Sequence, residues 1–83
     1  MGFSICVQER DRLANLPTLS ERQRGLIEGY LAGAEVAEVE RETILADSRD
    51  PSWTEHLANV SIRLKVLANA IMWEEEKRVA ADR

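Results

Sequence analysis

The sequence predicts an all-α chain: a long antiparallel helical hairpin with a short N-terminal segment, expected to form a dimeric helical bundle with a second copy. Three observations predict it. Apolar residues recur at helical spacing over two runs of almost thirty residues. Capping-box pairs, in which the side chain three residues on reaches back to the cap amide, stand at the head of each run. One short connection, Asp47-Ser48-Arg49-Asp50-Pro51-Ser52, separates the runs. The chain reads as one helical domain over residues 1–83, with an N-terminal segment at 1–16 and long helices at 20–47 and 52–80.

Residues 1–16 admit two readings. Phe3, Ile5 and Val7 alternate with polar residues, as in a strand, but a lone strand has nothing to pair with inside this chain. Ser4 can instead cap a short helix running to about Asn15, which Pro17 ends, and this is the preferred reading. Cys6 reads as a small apolar residue in a reduced compartment.

The first long helix opens on Thr18 with Glu21 and on Ser20 with Gln23, both at capping-box spacing. It holds no proline and much Ala, Leu, Glu and Arg. The last helix opens on Asp50 as cap and Pro51 in the first turn, with Ser52 and Glu55 at a third capping-box spacing. Near its end Glu74 and Arg78 stand as an i,i+4 pair.

On a wheel at about 100° per residue, Trp53, Leu57, Val60, Leu64, Leu67 and Ile71 form a narrow stripe with the spacing of a coiled-coil seam. This seam is expected to pack on the first long helix, where Leu26, Ile27, Tyr30, Leu31, Ala34, Ala37, Ile44 and Leu45 form a broad apolar arc. Ile62, Val66 and Trp73 lie roughly opposite the seam. A two-helix hairpin has no second layer for them, so dimerisation through this face is expected. Cover by residues 1–16 and a free partner-binding patch are the alternatives.

Gly25, Gly29 and Gly33 recur every four residues and Ala37 follows. Each mid-helix glycine costs roughly 1 kcal/mol relative to alanine. Such a stripe permits close approach of another helix; alternatively Gly33 ends the helix as a C-terminal cap. The candidate partner or dimer interface is therefore Gly25, Gly29, Gly33, Val36, Ile62, Val66 and Trp73.

The chain carries 15 acidic and 11 basic residues, a net charge of −4. Residues 19–51 hold eight acidic and four basic residues, so the whole excess lies there. Glu28, Glu35, Glu38 and Glu42 share one face. That stripe is either a solvated face or one that steers towards a partner protein with a basic surface.

Composition removes several classes. One cysteine builds no intrachain disulfide framework, and no Cys/His cluster offers a zinc site. No apolar run is long enough to cross a membrane, and the acidic balance argues against nucleic acid and anionic lipid. His56 is the only histidine, and no placed nucleophile, acid–base pair, phosphate loop or metal pair accompanies it. The expectation is no enzyme and no cofactor. Met1-Gly2-Phe3-Ser4-Ile5-Cys6-Val7 lacks a basic region followed by a long apolar stretch, so a cytoplasmic location is expected.

Leu19-Ser20-Glu21-Arg22, Gly33, Glu38-Val39 and the run His56-Leu57-Ala58-Asn59-Val60-Ser61-Ile62-Arg63-Leu64-Lys65-Val66 resemble the LuxR-type helix-turn-helix over residues 19–66. The resemblance implies a DNA-binding transcriptional regulator whose recognition helix contains that last run. Ser52-Trp53-Thr54-Glu55, at the start of that helix, carries no basic residue to meet phosphates. In character the chain also looks like the small regulators of phages and mobile elements. The leading expectation is a non-enzymatic protein-interaction module that binds and modulates, by inhibition, another protein; the helix-turn-helix regulator is the alternative.

Overall fold

The computed structural model describes residues 6–47 and 51–82. These form three helices, α1 (Val7–Ala14), α2 (Glu21–Asp47) and α3 (Pro51–Ala81), with no strand among the described residues. The two long helices pack against each other along the molecule, and α1 touches both.

The helical reading of the N-terminal segment holds, with a later start. Cys6 occupies the cap position and makes no side-chain cap bond; Ser4, the expected cap, lies outside the described residues. The Asn15 amide donates to the carbonyls of Asp11 and Arg12 at 3.2 and 3.1 Å, and the chain turns there towards Pro17. The last carbonyls of α1 have no partners within the helix. The Leu16 amide donates to Leu13 O at 3.1 Å, and Arg24 of α2 adds bonds to Leu13 O at 3.3 Å and to Leu16 O, in the connection beyond the helix, at 2.8 Å.

α2 starts where its capping box requires. The Gln23 amide donates to Ser20 Oγ at 3.1 Å, and the Ser20 amide donates to Gln23 Oε1 at 3.1 Å. The other pair at that spacing does not form a box: Thr18 instead donates to Glu75 on α3. Gly33 ends nothing, because α2 runs unbroken through it. α3 begins at Pro51; its expected cap, Asp50, lies outside the described residues. The Glu74–Arg78 pair is also replaced. Arg78 binds Glu75 at 2.6 Å and Asp82 at 3.3 Å, while Glu74 faces Lys77 at 3.7 Å.

The core is a cluster of Cys6, Leu13, Leu16, Leu19, Ile27, Leu31, Ala34, Ala68 and Met72. It sits at the end of the hairpin where α1 lies. Towards the turn the packing thins: no described residue between 38 and 60 is buried. Two helices side by side cover only one stripe each, and α1 is too short to reach this arm.

The seam expected on α3 is rotated in the structure. Ser61, Ala68, Met72 and Glu75 are the buried residues of α3. Leu57, Leu64 and Ile71 flank them half-buried, and Trp53, Val60 and Leu67 are exposed. The reason is α1. Its docking requires α3 to present Ala68, Met72 and Asn69 between the two neighbours, which turns the stripe centred on Leu64 to the edge of the core.

Candidate functional site

α1 is pinned between the long helices by two arginines. Arg10 Nη2 donates to Glu35 Oε1 of α2 at 2.5 Å. Arg12 donates to both oxygens of Glu76 on α3, at 2.7 and 3.2 Å, and to Asn69 Oδ1 at 2.5 Å. Bidentate guanidinium–carboxylate pairing is directional as well as attractive. The hydrogen bond to Glu35 holds the Arg10 guanidinium protonated above its usual value, and the bonds to Glu76 do the same for Arg12. Arg12 in turn lowers the Glu76 carboxyl. Cys6 is buried and its thiol donates to Leu31 O at 3.8 Å; burial pushes the thiol up, away from the reactive thiolate.

Among the described residues, Glu75 is the charged residue that is buried. Its carboxylate accepts from Thr18 Oγ1 and from Arg78 Nε and Nη2 at 3.0 and 2.6 Å. The hydrogen bond from Arg78, then that from Thr18, bring its carboxyl down to about 2. This cluster ties the α1–α2 connection to α3.

The acidic stripe is divided. Glu28 and Glu42 are exposed, Glu35 is held by Arg10, and Glu38 lies 3.7 Å from Arg41. Glu28, Glu35 and Glu42 share one heptad position, so all three fall on the α1 side of the hairpin.

The glycine stripe does not bring helices together within the chain. A Cβ on Gly25 or Gly29 would meet nothing within 4 Å. Only at Gly33 is the approach close, with Leu64 Cδ1 standing 3.0 Å from the Cβ position. Val36 points away from α3 and lines a shallow groove with Ala32, Glu35, Val39 and Glu40.

Ile62, Val66 and Trp73 do share one exposed face, with Trp73 at 55% and Val66 at 59% exposure. The described part of the N-terminal segment does not cover them. It packs one stripe over, on Asn69 and Glu76. Lys77 Nζ lies 4.2 Å from the centre of the Trp73 ring, a cation–π contact that caps one end of the face.

A second exposed apolar strip was missed. Gly33 and Leu64 lie on the side of the hairpin away from α1, since on the wheel Gly33 falls well over 90° from Leu31 and Glu35, which α1 contacts. In an antiparallel hairpin the same side carries Leu26, Tyr30 and Ile44 of α2, and Trp53, Val60 and Leu67 of α3. Leu26, Trp53, Val60 and Leu67 are each at least 45% exposed. The spacing that marked them as apolar was legible, but it does not say whether the partner is in the same chain.

No helix among the described residues is long and apolar enough to cross a membrane. Of the segments that resemble the helix-turn-helix, Leu19-Ser20-Glu21-Arg22 straddles the start of α2, Gly33 and Glu38-Val39 lie within α2, and the run from His56 to Val66 lies within α3. No family model, curated protein or solved structure matches this chain.

Proposed function

We propose that this chain is a non-enzymatic protein-interaction module that binds and modulates another protein, by inhibition, through the Ile62–Val66–Trp73 face. The observation that carries this reading is the exposure of three large apolar side chains on one face of α3, beside rather than beneath α1. Contiguous apolar surface rimmed by polar groups is what protein-binding surfaces share. Glu28 and Glu42, exposed on the same side of the hairpin, favour a partner that presents basic groups around an apolar centre.

The test is comparative capture. Proteins retained from host lysate by the wild-type chain are compared with those retained by Val66→Asp and Trp73→Asp. A partner held by the wild type and lost from both variants, with helical circular dichroism unchanged, supports the reading. Identical retention by all three overturns it. A salt-sensitive shift of duplex DNA overturns it in favour of the helix-turn-helix regulator.

A further inference from the structure

We infer that a second copy of this chain packs on the face of the hairpin opposite α1, closing two hairpins into a four-helix bundle. This contact is distinct from the Ile62–Val66–Trp73 face, through which dimerisation was expected from the sequence, and it stands independently of the proposed partner.

Four observations carry it. The first is incompleteness: the arm of the hairpin beyond residue 38 buries no described residue, so Ile44, Trp53 and Val60 lack a covering layer. The second is area. The strip draws on both long helices of a molecule 52 Å long and 18 Å across its narrowest dimension, a face with room for the ~800 Å² per partner of a stable interface. Ile62, Val66 and Trp73 by contrast occupy a single helix.

The third observation is charge complementarity of the face with itself. Gly33 stands level with Leu64. The antiparallel register then sets Arg22 within one residue of the level of Glu74, and Glu40 within one residue of the level of His56. All four are exposed, and they edge the strip, Arg22 and Glu40 on α2 and Glu74 and His56 on α3. A two-fold axis along the hairpin lays α2 of one copy on α3 of the other. It brings Arg22 opposite the partner's Glu74, a pair of opposite charge, and Glu40 opposite the partner's His56, whose ring N–H can donate to the carboxylate, each twice, as an isologous interface requires. The fourth is where the surplus acid lies. Glu28, Glu35 and Glu42 are on the α1 side, so two copies meeting on the opposite face do not set these glutamates against each other.

The experiment is light scattering of the full chain across micromolar to hundreds of micromolar concentration. The wild type is expected to reach twice 9.4 kDa. Leu67→Glu and Val60→Glu, at side chains exposed in the single chain, are expected to give monomer with helical circular dichroism retained; either variant reads the face if the other loses its fold. Arg22→Glu is expected to weaken self-association about tenfold, and Arg22→Glu with Glu74→Arg to restore it. Val66→Glu, on the other face, is expected to leave the mass unchanged. A wild type that stays monomeric throughout overturns the inference. So does a dimer that survives Leu67→Glu and Val60→Glu, whether or not Val66→Glu dissolves it.

Discussion

Leu64 Cδ1 lies 3.0 Å from the position a Cβ on Gly33 would take, whereas Gly25 and Gly29, at the same spacing along α2, face open space. One glycine of the three therefore serves the packing of α2 on α3.

Alanine separates the three positions. Gly25→Ala and Gly29→Ala meet no neighbour and gain helix propensity, so each is expected to raise stability by about 1 kcal/mol. Gly33→Ala gains the same propensity but must displace the Leu64 side chain, and is expected to raise stability by less, if at all. Urea midpoints of the three variants check this ordering; a Gly33→Ala gain equal to the others would show that Leu64 gives way freely.

Acid should loosen the connection between α1 and α2. The Glu75 carboxyl sits at about 2 in the folded chain against an ordinary 4.5. The unfolded chain therefore takes up the proton first as pH falls. The stabilisation is complete above 4.5 and is lost progressively as pH falls towards 2. The lowered Glu76 carboxyl acts in the same direction. Urea midpoints measured from neutral pH downwards should fall across this window in the wild type. Glu75→Gln should start lower and change less; an unchanged slope would remove Glu75 as the source.

Arg12 bridges α1 to Glu76 and Asn69 of α3 through three hydrogen bonds. Its pair with Glu76 is partly solvated, so Arg12→Ala is expected to cost only about 1 kcal/mol. The loss should be local. Hydrogen exchange of the α1 amides should accelerate while the core of α2 and α3 keeps its protection. Arg12→Lys should recover little, because an ammonium cannot span both carboxylate oxygens.

Ser61 is fully buried on α3, and its hydroxyl finds no hydrogen-bond partner among the described residues. A buried hydroxyl without a partner carries its full desolvation cost. Ser61→Ala removes that cost and adds helix propensity, so stability should rise by about 1 kcal/mol. A thermal midpoint at or below the wild type would show that the hydroxyl is satisfied.

Much of the architecture was legible in advance because it is local. The Ser20–Gln23 box, the break at Pro17 and the helical spacing on either side of Pro51 are short-range chemistry, read residue by residue. The face assignments were less legible. Trp53, Val60 and Leu67 carry the spacing of a seam, and Ile62 and Val66 look like its back; yet the structure exposes both groups. Glu75 could not be singled out either. Three glutamates follow one another at 74–76, and only the fold puts Thr18 beside the middle one.

By itself the sequence determined the two long helices and their order, since capping, proline placement and periodicity act over a few residues; that residues 7–14 form a helix rather than a strand was decided by the fold. The tertiary structure alone decided how far α3 is rotated about its axis. Eight residues of α1, held by Arg10 on Glu35 and Arg12 on Glu76, select which stripe of each long helix is buried. An apolar periodicity states that a face must be covered. It does not state by what, because burial has no direction of its own, and long-range partners set it.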